Sequence, residues 1–186
     1  MPQVAVKVAA FAGSLRSDSW NRKLLALAVR HALDAGAEVD VIDLRALAIP
    51  LYDADTEHAS GLPAGVKQLK ERIAAAQGVL VATPEYNHSI PGVLKNVLDW
   101  VSRPPNNPLR DKTVALMGAS TGMAGTLRVN YALRPVFSTA GSWLVPGYVG
   151  IPNAAQAFDD AGNLKDELFR KQLEAHIKTF VGSIRD

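Results

Sequence analysis

The sequence of 186 residues contains no cysteine. Disulfide bonds, thiolate nucleophiles, iron–sulfur clusters and cysteine-ligated zinc are therefore excluded as the basis of its function. No apolar run approaches the roughly 20 residues that a membrane-spanning helix needs. The N-terminus, MPQVAV, has neither the basic segment nor the cleavage site of a secretory signal. These absences predict a cytoplasmic protein that does not insert into a membrane.

An excess of charge of either sign is also absent, since 20 basic and 18 acidic side chains leave a net charge of +2. Without a Lys/Arg stripe, this balance does not predict nucleic-acid binding. The histidines are scattered without metal-ligand spacing, so no metal site is predicted. Apolar residues (48%) and charged residues (20%) occur in the proportions of an ordinary globular protein. The length predicts one domain over residues 1–186.

Apolar, β-branched runs alternate with helical patterns along the chain. Strands are predicted at residues 4–11, 38–44, 78–82, 113–117 and 143–149, and helices at 22–35, 66–74, 91–101, 122–139 and from about 164 to 184, with a loop at 45–63. Strict alternation predicts a parallel sheet with helices on both faces. Five strands fit the three-layer, doubly wound, flavodoxin-like α/β fold in strand order 2-1-3-4-5. Ligands of such folds bind beyond the carboxyl ends of the strands, here at the loops 12–21, 83–91 and 118–125.

The loop after the first strand carries short polar side chains and one arginine ahead of a helix. It reads GSLRSDSWN at residues 13–21. The N-terminus of a helix attracts anions, and Ser14, Ser19 and Asn21 add further donors. Arg16 adds a guanidinium, whose positive charge and parallel N–H donors suit phosphate. The spacing matches neither the dinucleotide nor the nucleoside-triphosphate glycine motif, which favours a mononucleotide. The alternative is that Ser19 or Asn21 merely caps the helix and that Arg16 is a solvated surface residue.

A second loop combines an aromatic ring, an amide and a carboxylate. It begins the segment TPEYNHSIPGVLKNVLDW at residues 83–100. Pro84 and Pro91 restrict φ on both sides of the loop and so hold it in one shape. Such a loop offers flat contact surfaces and in-plane hydrogen-bonding groups to a planar heterocycle.

Together, the motifs G-S-L-R-x-x-S-x-N and T-P-E-Y-N-x-S-x-P-G-x-L-K-N-x-x-D-W resemble those of the NADPH-dependent FMN reductases, a family with chromate- and quinone-reducing flavoproteins and some azoreductases. The resemblance extends to about Arg134. It implies FMN as cofactor and NAD(P)H as co-substrate. It further implies a ping-pong reaction, with hydride transfer to flavin N5 and then reduction of a quinone, an azo compound, free flavin or chromate. A homodimer or homotetramer with flavin sites near subunit interfaces is also implied.

The resemblance assigns three groups of residues to the cofactor. The FMN phosphate would be held by Ser14, Arg16, Ser19 and Asn21. The isoalloxazine ring would be framed, largely through backbone groups, by Pro84, Glu85, Tyr86 and Asn87, and its pyrimidine side would be closed by Ser120, Thr121 and Gly122. N–H groups of a helix starting near Gly122 would stabilise negative charge on the reduced ring. No side chain is assigned as a catalytic acid or base, although Tyr86 is a candidate contact in the acceptor site.

Two other functions remain open on the residues alone. The segment GASTG at residues 118–122 matches the serine-hydrolase motif, and Ser120 is followed by Asp159 or Asp160 and then His176, in hydrolase order. Against this reading, the chain is short for that fold, no HGGG-type oxyanion loop precedes the motif, and His176 falls within a periodic helix. The second alternative is a non-enzymatic electron carrier like flavodoxin, although such carriers are expected to be acidic.

Overall fold

The computed structural model describes residues 5–184 of the chain. The strands are β1 Lys7–Ala12, β2 Glu38–Ile42, β3 Gly78–Ala82, β4 Thr113–Ala119, β5 Trp143–Leu144 and β6 Val149–Ile151. The helices are α1 Trp20–Asp34, α2 Ala54–Ser60, α3 Ala64–Ala74, α4 Gly92–Val101, α5 Leu127–Thr139, α6 Ala154–Ala157 and α7 Glu167–Ser183. Among the residues described, none of these helices combines the length and apolarity needed to cross a bilayer.

The strands form one parallel sheet in the order β2-β1-β3-β4-β5, and β6 pairs with the end of β4. Strand β1 lies between β2 and β3, so Phe11 has Ile42 on one side and Val81 on the other. The predicted flavodoxin-like order is thereby confirmed. The reversal of strand order between β1 and β3 is where ligands bind in such sheets.

Each face of the sheet is covered by an apolar layer of helices. One layer comes from α1 and α7, with Leu24, Leu27, Leu173, Ile177 and Phe180. The opposite layer comes from α3, α4 and α5, with Leu69, Ile73, Leu94, Leu98 and Phe137. Strand β3 is buried at every residue, because helices cover both of its faces.

The N-terminal half of the chain differs from the sequence prediction at strand ends and in one loop. Strand β1 begins at Lys7 rather than at Val4, which lies outside the described residues. The predicted loop at residues 45–63 contains the two-turn helix α2. The Asp53 carboxylate caps this helix by accepting the Asp55 N–H at 2.9 Å. Helix α2 has no buried residue, so it lacks the apolar periodicity by which a helix is recognised in a sequence.

The predicted fifth strand at residues 143–149 is divided into β5 and β6. Pro146 has no N–H for a sheet ladder, and Gly147 adopts a φ of 72°, which ends the extended backbone. The predicted helix over 122–139 begins only at Leu127. Its start is delayed because the two preceding residues have left-handed φ angles of 54° and 67°.

Candidate functional site

Three loops meet around Thr83, which directly follows β3 and is fully buried. The Thr83 N–H donates to the Met117 carbonyl at 2.9 Å, and the Gly13 N–H donates to the Ala82 carbonyl at 2.8 Å. A Cβ on Gly13 would lie 2.8 Å from the Thr83 Oγ1, and a Cβ on Gly118 would clash with the Thr83 carbonyl. The two glycines therefore allow the loops after β1 and β4 to approach the end of β3.

Loop 13–21 turns into α1 at Ser19. The Ser19 Oγ accepts the Asn21 N–H at 3.2 Å, so the helix-capping role considered for Ser19 is confirmed. Ser14 and Ser19 are buried, whereas Arg16 is exposed. The loop thus combines two buried hydroxyls with an exposed cation at the start of a helix, a combination that suits an anion.

The Asn21 side chain connects this loop to the end of β4. Its Nδ2 donates to the Ala119 carbonyl at 2.9 Å, and its Oδ1 accepts the Ala119 N–H at 2.8 Å. Only 2% of Asn21 is exposed. These two bonds use the amide oxygen and one hydrogen of Nδ2, so the second Nδ2 hydrogen is the one available for an anion.

Asp18 places a carboxylate within loop 13–21, but its ion-pair partner is Lys23 at 2.8 Å rather than Arg16. The hydrogen bond and the charge of Lys23 lower the pKa of Asp18. Lys23 also lies over the Trp20 ring, 4.2 Å from its centroid. The charge of Arg16 also lowers the pKa of Asp18, but more weakly than Lys23 does, so Asp18 offsets Arg16 only in part.

A cleft of about 100 Å³ opens over these donors. It is lined by Ser14, Arg16, Ser19, Trp20, Asn21, Pro84, Glu85, Tyr86, Ala119, Ser120 and Thr121. The structure thus brings together nine of the eleven sequence-predicted site residues, while Asn87 and Gly122 lie outside this lining. A larger groove, of about 500 Å³, runs between α4 and α5, and none of the eleven lines it.

Loop 83–91 ends in a tight two-residue turn. The Tyr86 N–H donates to the Ser89 carbonyl at 3.2 Å, and the Ser89 N–H donates back at 2.9 Å. Asn87 and His88, at the centre of the turn, have φ angles of 48° and 62°. Two successive left-handed residues are typical of a type I′ turn, whose geometry is rigid. Asn87 therefore lies at an exposed tip, and Tyr86, which is 46% exposed, stands beside the cleft.

The Glu85 carboxylate binds the N-terminus of α5. Its Oε2 accepts the N–H groups of Arg128 at 2.9 Å and Val129 at 3.2 Å, and its Oε1 accepts from the Arg128 guanidinium at 3.1 Å. The side chain is 8% exposed. A carboxylate is stabilised at a helix N-terminus. The family resemblance assigned Glu85 to the flavin ring, and no pattern in the sequence indicated this capping role, because the capped helix begins 42 residues later.

Loop 120–126 is anchored on β6 and α6. The Ser120 N–H donates to the Ile151 carbonyl at 3.0 Å, and the Ala154 N–H donates to the Ser120 carbonyl at 2.9 Å. The Gly122 N–H donates to the Ser120 Oγ at 3.1 Å. Because α5 begins at Leu127, the helix N-terminus predicted near Gly122 is not there, and the Gly122 N–H belongs to a turn.

The hydrolase alternative is not supported by the surroundings of Ser120. His176 lies on α7, where burial lowers its pKa and a backbone hydrogen bond with Leu116 raises it, with a net lowering. The Asp159 carboxylate accepts the Asn163 N–H at 2.7 Å. Within residues 5–184, His176, Asp159 and the alternative Asp160 form no hydrogen bond with Ser120, and neither carboxylate bonds to His176. The residues that match the hydrolase order therefore do not form a triad.

Known proteins match the chain over most of its length. The family model of the NADPH-dependent FMN reductases matches residues 6–156. An NAD(P)H-dependent FMN reductase of Pseudomonas aeruginosa is 43% identical over 176 residues, which are 91% of this chain and 92% of that protein. A quinone reductase of Escherichia coli K12 is 43% identical over 131 residues, which are 70% of this chain and 69% of that protein.

The solved structure of FerB, described as a flavoenzyme NAD(P)H:(acceptor) oxidoreductase from Paracoccus denitrificans, is similar with a TM-score of 0.82 and 31% identity. The match covers 97% of both chains. The family model, the two relatives and the solved structure all agree with the resemblance that the two sequence motifs show. The chain therefore belongs to the family of NADPH-dependent FMN reductases, oxidoreductases that use FMN as cofactor and NAD(P)H as co-substrate.

Proposed function

We propose that the chain reduces small electron acceptors with NAD(P)H and that its FMN binds across the three loops at the carboxyl ends of β1, β3 and β4. The observation that carries this proposal is the cleft in which loops 13–21, 83–91 and 120–126 converge. Its donors fit a flavin phosphate, since two buried hydroxyls and an exposed guanidinium surround the start of α1.

The phosphate would be held by Ser14, Arg16 and Ser19, with the second Nδ2 hydrogen of Asn21 at the base of the cleft. A volume of about 100 Å³ accommodates a phosphate group rather than the whole cofactor. The isoalloxazine ring then lies beyond the cleft, against residues 84–87 and 120–122. One face of the ring consequently stays accessible to substrates.

When bound, FMN supplies the hydride-accepting and electron-donating chemistry. Residues of the chain orient the ring and shape the site, and none is assigned as an acid or base. NAD(P)H and the acceptor would occupy the same open face in turn, in a ping-pong scheme, with Tyr86 lining that face. A shallow face selects weakly among planar or small acceptors, so quinones, azo compounds, free flavin and chromate all suit it.

The relatives favour an enzyme over an electron carrier, because the Pseudomonas protein is named as an NAD(P)H-dependent reductase and the Escherichia coli protein as a quinone reductase. We further propose that the whole chain is one FMN-binding domain and that it works in the cytoplasm. A cysteine-free oxidoreductase that uses NAD(P)H suits a reducing compartment.

We propose a homodimer or homotetramer from an apolar surface formed by Met123 of loop 120–126 and by Leu127 and Tyr131 of α5. Met123 is 88% exposed, Tyr131 is 63% exposed, and Leu127 lies between them in the chain. The Tyr131 ring contacts that of Tyr148 edge-on, with 6.4 Å between centroids. Contiguous exposed apolar side chains on a globular protein commonly mark an interaction surface. A second copy covering this surface would place the flavin near the subunit interface.

The decisive experiment is an anaerobic absorbance spectrum of the protein with FMN, before and after addition of NADPH and, separately, NADH. Loss of the flavin absorbance within catalytic time, followed by its return on addition of a quinone, is the expected result. Parallel lines in double-reciprocal plots of the steady-state rate would support the ping-pong scheme. Bound flavin that neither nucleotide reduces would indicate a carrier, and absence of bound flavin would overturn the proposal.

A further inference from the structure

Arg45, three residues beyond β2, holds the loop after β1 from outside the cleft. Its Nε donates to the Leu15 carbonyl at 2.8 Å, and its Nη2 donates to the same oxygen. Leu15 belongs to loop 13–21, whereas Arg45 lies outside the lining of the cleft. Arg45 is exposed, so packing of its side chain in the core does not account for its placement.

The direction of the Leu15 carbonyl determines the direction of the next N–H. In a planar trans peptide, the C=O of Leu15 and the N–H of Arg16 point to opposite sides. The carbonyl faces Arg45, so the Arg16 N–H faces away from it. That N–H lies 3.4 Å from the Ser14 Oγ, on the side where Ser14 and Arg16 line the cleft. A bond of this length is weak, which leaves the N–H available to a stronger acceptor.

The Asp43 carboxylate connects the backbone of Arg45 to the first turn of α1. Its Oδ1 accepts the Arg45 N–H at 3.0 Å, and its Oδ2 accepts from the Arg22 guanidinium at 2.7 Å. Arg22 lies in the first turn of α1. Burial raises the pKa of Asp43, but the bonds from Arg22 and Arg45 outweigh it and lower the pKa. The carboxylate thus stays ionised and joins the residues after β2 to the start of α1.

The charged side chains in and around loop 13–21 carry a net positive charge. Asp18 pairs with Lys23, and Asp43 lies between Arg22 and Arg45. Arg16 brings a further cation, and neither of these carboxylates forms an ion pair with it. A cation at the oxygen end of a peptide also polarises it, which strengthens the N–H at the other end as a donor.

We propose that Arg45 is a positioning residue of the phosphate site, which directs the Arg16 N–H at the anion and polarises the peptide that carries it. The inference rests on the proposed function, since it requires the phosphate of FMN in loop 13–21. It adds a residue that follows β2, the neighbour of β1, to a site whose other members follow β1, β3 and β4.

Riboflavin, which lacks the phosphate, separates this role from general damage to the site. Dissociation constants of FMN and riboflavin would be measured by flavin-fluorescence titration of the flavin-free full-length protein and of its Arg45→Gln and Arg45→Lys variants. Arg45→Gln should weaken FMN binding about 2- to 13-fold, the effect of losing one hydrogen bond, and change riboflavin affinity less than about 2-fold. Arg45→Lys keeps the positive charge but lacks the paired N–H donors of the guanidinium. Its affinity for FMN should therefore lie between those of Arg45→Gln and the unaltered chain.

Arg170 supplies a matched control. It is exposed, and its Nη1 donates to the carbonyls of Leu164 at 2.8 Å and Lys165 at 3.0 Å. Arg170→Gln should change neither affinity. The role of Arg45 would be overturned if Arg45→Gln weakened the binding of FMN and of riboflavin equally, or if it did not weaken FMN binding. Neither outcome would affect the conclusion that the unaltered chain binds FMN. Failure of the unaltered chain to bind either flavin would instead overturn the proposed function itself.

Discussion

The Glu85 carboxylate closes the N-terminus of α5 through the backbone N–H of Arg128, at 2.9 Å, and pairs with the guanidinium of the same residue at 3.1 Å. A residue of the loop after β3 thereby substitutes for a local cap. Thr126, the N-cap residue of α5, has a left-handed backbone and forms no capping bond with its own side chain. The position of loop 83–91 and the start of α5 are therefore set together.

Removing this cap should destabilise the protein. Glu85→Ala is expected to lower the free energy of unfolding by about 1–2 kcal/mol, as for the loss of an N-cap. Arg128→Ala removes only the ion pair of a half-exposed guanidinium and should cost less than about 1 kcal/mol. Urea unfolding of the three proteins measures both values. An equal loss in the two variants would show that the ion pair, not the cap, carries the stabilisation.

Arg16 should contribute to the affinity for FMN and not to folding. Losing hydrogen bonds to a charged phosphate costs about 1.5–3 kcal/mol, so Arg16→Ala should weaken FMN binding roughly 10- to 150-fold. The exposed side chain supports no core packing, so thermal unfolding of the flavin-free protein should be unchanged. The amount of yellow cofactor that copurifies gives a first measure. Full FMN occupancy at low free FMN would contradict the assignment.

Asn21 should be indispensable for stability. Asn21→Ala leaves the buried N–H and C=O of Ala119 without their partner, at a cost of about 2–4 kcal/mol. Asn21→Asp retains an acceptor for the Ala119 N–H but places a carboxylate against the Ala119 carbonyl. Its free energy of unfolding should therefore also be below that of the unaltered protein. Asn106→Ala, on an exposed loop, is the control and should change the free energy of unfolding by less than about 0.5 kcal/mol. A loss below about 1 kcal/mol for Asn21→Ala would argue against the bridge.

His176 should make stability depend on pH near neutrality. Its Nε2 is buried without a hydrogen-bond partner among the residues described, and burial lowers its pKa below the ordinary 6.5. As the pH falls below 6.5, His176 takes up a proton in the unfolded chain but stays neutral in the folded protein. The free energy of unfolding therefore declines. The slope approaches at most about 1.4 kcal/mol per pH unit. Urea unfolding at pH 7.5 and at about pH 5.5 tests this, and His176→Leu should flatten the dependence. An unchanged slope in His176→Leu would refute it.

Tyr131 should contribute to self-association. Tyr131→Glu places a charge on the exposed apolar surface of Met123, Leu127 and Tyr131 and should shift the protein toward smaller species in sedimentation velocity. Leu168→Glu is the matched control, because Leu168 is similarly exposed at 58% but lies on α7, in the other helical layer. A monomeric unaltered protein, or unchanged sedimentation of Tyr131→Glu, would contradict the proposed interface.

Local patterns in the sequence determined the first four strands, the five longer helices and the order in which they follow one another. Residues 78–82 are apolar throughout, as in a strand with helices on both faces, and the predicted bounds of β3 agree with the structure. The sequence also predicted ligand contacts in two polar loops, from short donors before a helix and from a rigid loop between prolines, and the structure brings both loops to one cleft. Their family motif was specific enough to predict FMN and NAD(P)H.

Tertiary structure alone decided which residues meet around the site. The bonds from Asn21 to Ala119, from Glu85 to Arg128 and from Arg45 to Leu15 join residues that are 98, 43 and 30 positions apart. No local pattern marks such partners, because they become neighbours only when parallel strands align and their carboxyl ends reach one edge. The late start of α5 has the same origin. Thr126 adopts a left-handed φ that its residue type does not favour, where a carboxylate from another loop supplies the helix cap.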